Sequence, residues 1–305
     1  MRLVTRSDFD GLACAVLLKE QGLVDDYLFA HPKDLQDGKI PVNANDILAN
    51  VPYVPGAGLW FDHHTSEKER LDQNLRFEGA SRPLPSCARV IWDYYGGEEV
   101  FGSHLLPMMQ AVDKVDSANL TADDITNPQG WILLGYVMDP RTGLGRFHDY
   151  RISNYQLMLD MIEYCRHKTA DEILEIEDVR ERTRRYFEQT DLFVDMLKHT
   201  TTVHGNLLVT DLREQETIFA GNRFAVYALF PDANISMQIM WGFKRQNIVF
   251  TVGHSILNRT SKTDVGKLML EYGGGGHPGV GTCQIPVEQA KTVREELIRK
   301  INAQG

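Results

Sequence analysis

No apolar run in the 305-residue sequence approaches the roughly 20 residues that span a bilayer, and the chain opens on a strand pattern rather than a signal peptide. No membrane association is expected, and a cytoplasmic location is. The four cysteines, Cys14, Cys87, Cys165 and Cys283, lie far apart and include no CxxC pair, which fits free thiols in a reducing compartment. Basic residues are in deficit, 32 against 42 acids for a net charge of -10. That balance argues against a broad surface for long duplex nucleic acid. A small anionic substrate remains compatible with it, because a metal ion and a few arginines can outweigh the global charge locally. Signs of disorder are absent too: at 43% hydrophobic residues the chain can build two ordinary domains, each with its own core.

What is present centres on Leu59-Trp60-Phe61-Asp62-His63-His64-Thr65-Ser66-Glu67. Three apolar residues read as the end of a buried strand that runs straight into an acid and two imidazoles. In parallel sheets ligands gather at the carboxyl ends of strands, and carboxylate with neutral imidazole suits manganese, zinc or iron. Adjacent residues cannot all face one ion, so further ligands must come from elsewhere. Near the amino terminus, Asp8-Phe9-Asp10-Gly11 follows the short strand Arg2 to Thr5 and precedes an apolar helix pattern. Two acids at i and i+2 in such a turn can project toward one point, with Gly11 permitting close backbone approach. Near the carboxyl terminus, Gly273-Gly274-Gly275-Gly276-His277 offers bare backbone and an imidazole to a phosphate.

DFDG, DHH and GGGGH in this order resemble the DHH-family phosphoesterases with a carboxyl-terminal DHH-associated domain, of the exopolyphosphatase-like and short-oligonucleotide kinds. The resemblance covers both ends of the chain and is weakest in its helical middle. It implies a two-domain fold with a manganese-dependent site between the domains. The implied substrates are polyphosphate, pyrophosphate, short single-stranded oligonucleotides, cyclic dinucleotides or nucleoside bisphosphates. It assigns catalysis to Asp8, Asp10, Asp62, His63 and His64, and metal binding to Asp8, Asp10, His63 and an aspartate that is Asp116 or Asp113. Substrate binding falls to His64, Arg259, Gly274, Gly275, Gly276 and His277. Two departures stand out. Neither Val4 nor Arg6 supplies the histidine that precedes the paired acids in many members, and Asn50, or else Asp46, stands where a metal-bridging aspartate is usual. One ion is therefore expected to be held well, and the other weakly or only with substrate phosphate present, with Mg2+ or another divalent as alternatives to Mn2+. A degenerate module that binds a nucleotide or polyphosphate without cleaving it is the competing reading.

The remaining patterns give an α/β chain: a parallel-sheet domain over 1–165, a helical connector over 166–200 and a smaller mixed-sheet domain over 201–305. Helices are predicted from about Leu12 to Gln21, from Ser86 to Tyr95, from His104 to Val115, from Pro128 to Val137, and without a break from Asn154 to Lys198. Thr169 to Glu172 fits a capping box. The helical middle also offers a face for a homodimer. In the later domain, strands are expected around Leu207, from Ile235 to Trp241 and from Ile248 to Val252, with helices from Asn222 to Leu229, after a Thr263 cap, and from Val287 to Ile301. His31, after the second strand, is a ligand or a solvated loop residue. The loop Asp139 to Arg146 sets two arginines among two glycines. It suits phosphate recognition, or else a surface loop whose arginines pair with Asp139 and Asp149.

Overall fold

The computed structural model describes residues 1–64 and 76–305, so Thr65 and the residues just after it in the central stretch lie outside the described residues. The chain forms two compact units, Met1–Asn119 with Pro128–Tyr186, and Leu120–Asn127 with Phe187–Gly305. The division at 186/187 falls inside one continuous helix, Glu177–Thr200, within the segment read as a connector. The second unit also takes in the short helix Ala122–Thr126, which packs on the helix Ala225–Leu229.

In the first unit, β1 (Arg2–Thr5), β2 (Asp26–Phe29), β3 (Asp46–Ala49), β4 (Leu59–Asp62) and β5 (Gly79–Ser81) form an all-parallel sheet in the order β2-β1-β3-β4-β5. The register aligns Val4, Leu48 and Trp60 in one row, which joins Leu35 and Val51 in a core cluster. Leu3, Ile47 and Phe61 on the opposite face are equally buried, so both faces are covered, as parallel sheets require. The helix Phe9–Glu20 is buried from Phe9 through Leu18 and touches the helices Cys87–Tyr95, Leu106–Asp116 and Asn154–His167. A helix wrapped in this way must be apolar all round. Truncating its Leu12 to alanine should cost about 2–5 kcal/mol.

That helix starts earlier than the apolar pattern indicates. Asp8 is its N-cap and accepts the Gly11 N–H, which puts Asp10 in the first turn rather than ahead of it. Gly11 is required by proximity, since a Cβ there would lie 2.0 Å from the Arg6 carbonyl oxygen. The predicted unbroken helix from 154 is three helices, Asn154–His167, Ala170–Leu174 and Glu177–Thr200. The predicted capping box is itself the break: Thr169 and Glu172 exchange hydrogen bonds that start a new helix, with Lys168 left extended.

In the second unit, β6 (Thr201–His204), β7 (Leu207–Asp211), β8 (Ile235–Trp241), β9 (Ile248–His254), β10 (Gly275–His277) and β11 (Val280–Ile285) form a mixed sheet in the order β10-β11-β9-β8-β7-β6. Only β7 and β8 pair in parallel. Alternate residues Ile235, Met237, Ile239, Ile248, Phe250 and Val252 turn to one face and pack with the helices Val265–Leu270 and Ala290–Gln304. The helix expected over 222–229 is only Ala225–Leu229, because Asn222 folds its side chain onto the Phe224 N–H in a local turn. Asp264, not Thr263, caps the next helix. Among the described residues no helix is long and apolar enough to cross a membrane, and the four cysteines are free and buried.

Candidate metal centre

The carboxyl ends of β1, β3 and β4 converge in the first unit. They deliver Arg6 and Asp8, Asn50, and Asp62 to His64, while Asp116 comes from the last turn of the helix Leu106–Asp116. The ligand atoms of Asp10, His63 and Asp116 all lie within 4.8 Å of one another. His63 Nε2 is 3.2 Å from Asp116 Oδ2 and 3.8 Å from Asp10 Oδ2. The other ring nitrogen, Nδ1, stands 3.1 Å from the Leu84 carbonyl oxygen. A carbonyl only accepts, so in the neutral ring Nδ1 carries the hydrogen and Nε2 aims a lone pair at two carboxylates. Three acceptors facing one another are stable only with a proton or a cation among them. The donor set therefore fits a divalent ion, and the Leu84 carbonyl is the outer contact that orients the imidazole.

Asp10 is buried, and its two oxygens accept the N–H groups of Cys87 and Ala88 at 3.0 and 2.8 Å, at the start of the helix Cys87–Tyr95. Even so, burial first and the neighbouring Asp8 charge second push its carboxyl up to about 7. Asp116 is likewise pushed up to about 7, by burial and then by Asp10. Both shifts express negative charge gathered without its counter-charge.

Asp8 is differently placed. It accepts Gly11 N–H at 3.0 Å and Asn50 Nδ2 at 3.2 Å, and Arg6 Nε lies 3.0 Å from its other oxygen. The arginine noted as a missing ligand thus neutralises the acid a ligand would have shared. Of the two candidates at β3, Asn50 is the one beside Asp8. Asp46 sits at the opposite end of the strand, held by Arg2 at 2.7 and 3.0 Å. Asn50 adopts a left-handed backbone, φ 57°, and is 1% exposed, with no hydrogen bond to its Oδ1 among the described residues. It lines one cavity with Arg6, Asp62 and His64.

Asp62 is not part of the cluster and fixes the second imidazole, accepting His64 Nδ1 at 2.9 Å and the His64 backbone N–H at 3.2 Å. Burial lowers the His64 pKa, but the hydrogen bond and charge of Asp62 outweigh it and leave it raised. Asp113 is not brought to the cluster. It accepts both Arg89 Nε, at 2.9 Å, and Nη2, at 2.6 Å, together with Ser86 Oγ, and so ties two helices together. His31 caps the helix Pro32–Gln36 through Nδ1. The Leu84 carbonyl and the Cys87 and Ala88 amides were not legible as partners. Pro85-Ser86 marks a helix start, yet nothing local says which acid that start receives.

In the second unit, the glycine run is an edge strand as much as a loop. A Cβ on Gly274 would lie 2.2 Å from Thr282 O, and one on Gly276 would lie 2.2 Å from Val280 O, so the facing strand requires both glycines. Gly275 meets nothing within 4 Å. His277 is exposed at the end of β10, and Arg259 Nε donates to the Ile256 carbonyl.

No family model and no curated protein matches the chain. Among solved structures, it is similar to the pGpG-specific phosphodiesterase PggH from Vibrio cholerae, with 51% identity, a TM-score of 0.89, and coverage of 100% of this chain and 99% of that one. An exopolyphosphatase-related protein from Bacteroides fragilis shares the fold at 14% identity and a TM-score of 0.54, covering 99% and 92% of the two chains. The DHH domain of a member of the S1p family of ribosomal proteins does so at 11% identity and a TM-score of 0.62, covering 99% and 86%. Full-length identity above one half, on top of the DFDG, DHH and GGGGH segments, carries family and reaction class together: the chain belongs to the DHH family of phosphoesterases and is a phosphoester hydrolase.

Proposed function

We propose that the protein is a divalent-cation-dependent phosphodiesterase that cleaves a short linear dinucleotide bearing a terminal phosphate, of the pGpG kind, with manganese as its ion. The observation that carries this reading is the facing set of Asp10, His63 and Asp116, whose ligand atoms are gathered as a divalent ion would need them. The similarity over the full length to a pGpG-specific phosphodiesterase supports the substrate class. Asp10, His63 and Asp116 hold one ion. When bound, it supplies acidification of a water and polarisation of a phosphoryl oxygen. His64, held by Asp62 through Nδ1, directs Nε2 to the phosphate. Asp8 pairs with Arg6 and keeps that guanidinium at the edge of the site. In the second unit, Arg259, Gly274, Gly275, Gly276 and His277 remain the proposed phosphate-binding residues. In the reaction a water oxygen bonds to phosphorus, the bond to the ribose 3′ oxygen breaks, and that oxygen leaves with a proton. A pGpG molecule gives two GMP.

The test is product release from pGpG, from unphosphorylated GpG, and from polyphosphate, with the purified protein in MnCl2, in MgCl2 and in EDTA. The expected result is GMP from pGpG with manganese and none with EDTA. Phosphate release from polyphosphate with pGpG untouched would overturn the substrate class, and turnover undiminished by EDTA would overturn the cation.

A further inference from the structure

Immediately after the helix Gly130–Met138, the chain makes the tight turn Pro140–Thr142, and Asp139 organises it. Its carboxylate accepts the Arg141 backbone N–H at 2.8 Å and Arg141 Nε at 2.7 and 2.9 Å to its two oxygens. Its carbonyl accepts the Thr142 hydroxyl at 2.8 Å, and Gly143, at φ 86°, closes the turn. One acid thus holds both the backbone and the root of the Arg141 guanidinium. A guanidinium has five N–H donors, and this clamp uses only the one on Nε. No hydrogen bond from the two terminal nitrogens occurs among the described residues, and the side chain is 39% exposed.

The turn reaches the segment that leads into Asp8. Asp139 and Pro140 line one cavity with Ser7, the residue before Asp8. Desolvation lowers the Arg141 pKa, but Asp139, and then the charges of Asp8 and Asp116, outweigh it and leave it raised. Arg141 is therefore a cation within electrostatic reach of the acids of the centre, fixed at one side and open at the other. Arg6, the other guanidinium there, is already paired with Asp8. The neighbouring Arg146 turns back to the Gly143 carbonyl, and Asp149 pairs with Arg185, so the loop's other charges have internal partners.

We propose that Arg141 contacts the substrate, its terminal nitrogens gripping non-bridging oxygens of the scissile phosphate while Asp139 holds the fork in place. The inference rests on the phosphodiesterase reading above. Arg141 keeps its proton throughout and acts as a fixed donor to charge that grows on the phosphoryl oxygens. A plain surface ion pair would leave such a fork idle and its loss without kinetic consequence.

The test compares wild type with Arg141→Ala, Arg141→Lys and Asp139→Asn, measuring kcat and KM for pGpG at saturating manganese, manganese affinity by calorimetry, and the melting temperature. Arg141→Ala is expected to lose roughly 100–1000-fold in kcat/KM, the scale of removing one preorganised donor, with manganese affinity within about twofold of wild type. Added guanidinium chloride should restore part of that loss, whereas Arg141→Lys, which keeps charge without the fork, should stay well below wild type. Asp139→Asn should mainly raise KM. An Arg141→Ala enzyme within twofold of wild type overturns the proposal. So does a loss that guanidinium does not touch and that manganese affinity mirrors. A wild-type protein inert toward every phosphodiester would overturn the reading of function, and Arg141's role with it.

Discussion

Two corners of the same site hold the same kind of residue and treat it oppositely. At one, Asp8 has its charge answered from within, by the Gly11 amide, the Asn50 side-chain amide and the Arg6 guanidinium. At the other, Asp10 and Asp116 face a histidine lone pair, and burial pushes both acids up to about 7, with the Asp8 charge adding to the shift of Asp10 and the Asp10 charge to that of Asp116. A carboxylate supplied with protein donors has little to gain from an ion, whereas a pair facing a lone pair has much. On the proposed function, the contrast would divide one acidic cluster into a part that supports and a part that binds.

Substitutions at the second corner should break the comparison most. Asp10→Asn and His63→Ala are expected to reduce manganese-dependent turnover to background and to remove manganese binding in calorimetry. Asp113→Asn should leave manganese affinity intact while lowering the melting temperature, because its partners are Arg89 and Ser86. Next comes Arg6→Ala, which exposes the first corner. The wild type should bind one manganese per chain, and freeing Asp8 should admit a second, weaker ion. The loss of folding stability should fall short of the about 3–5 kcal/mol for breaking a fully buried pair, because Arg6 is 30% exposed. Two equally tight ions on the wild type would erase the distinction between the corners. Asp62→Asn should have a smaller effect, roughly 10–100-fold in kcat, since it removes an acceptor behind His64 and not a ligand.

How much of this was legible depends on whether the deciding partner was local. DFDG and DHH marked Asp10 and His63 because strand ends in a parallel sheet place their polar residues predictably. Spacing could not separate Asp116 from Asp113, which share a helix face; Arg89, on another helix, decides by binding Asp113. Asp46 and Asn50 flank one short strand, and only the direction of β3 in the sheet puts Asn50 beside Asp8. The glycine run signalled close approach correctly. Composition does not say what approaches, and at Gly274 and Gly276 it is the chain's own β11. Asp8 carried two signals at once, a helix N-cap and an acid at a strand end, and the N-cap and Asn50 take one of its oxygens while Arg6 takes the other.

The mildest test uses pH. In the protein without its ion, Asp10 and Asp116 keep protons up to about 7, while in the unfolded chain they release them near the ordinary value of 3.8. Between those values the folded state binds more protons than the unfolded one, so these two groups make stability fall as pH rises, levelling off above about 7. The cation must displace the same protons. Its apparent affinity should therefore climb through this window, by up to about tenfold per pH unit for each proton released, and flatten above it. Melting curves with and without manganese at pH 5.5, 6.5, 7.5 and 8.5 read this out directly. The gain from manganese should grow from pH 5.5 to 7.5 and change little to 8.5. A gain that is flat from pH 5.5 upward would mean that the ion meets carboxylates already ionised, and the two corners would no longer differ in the way their geometry implies.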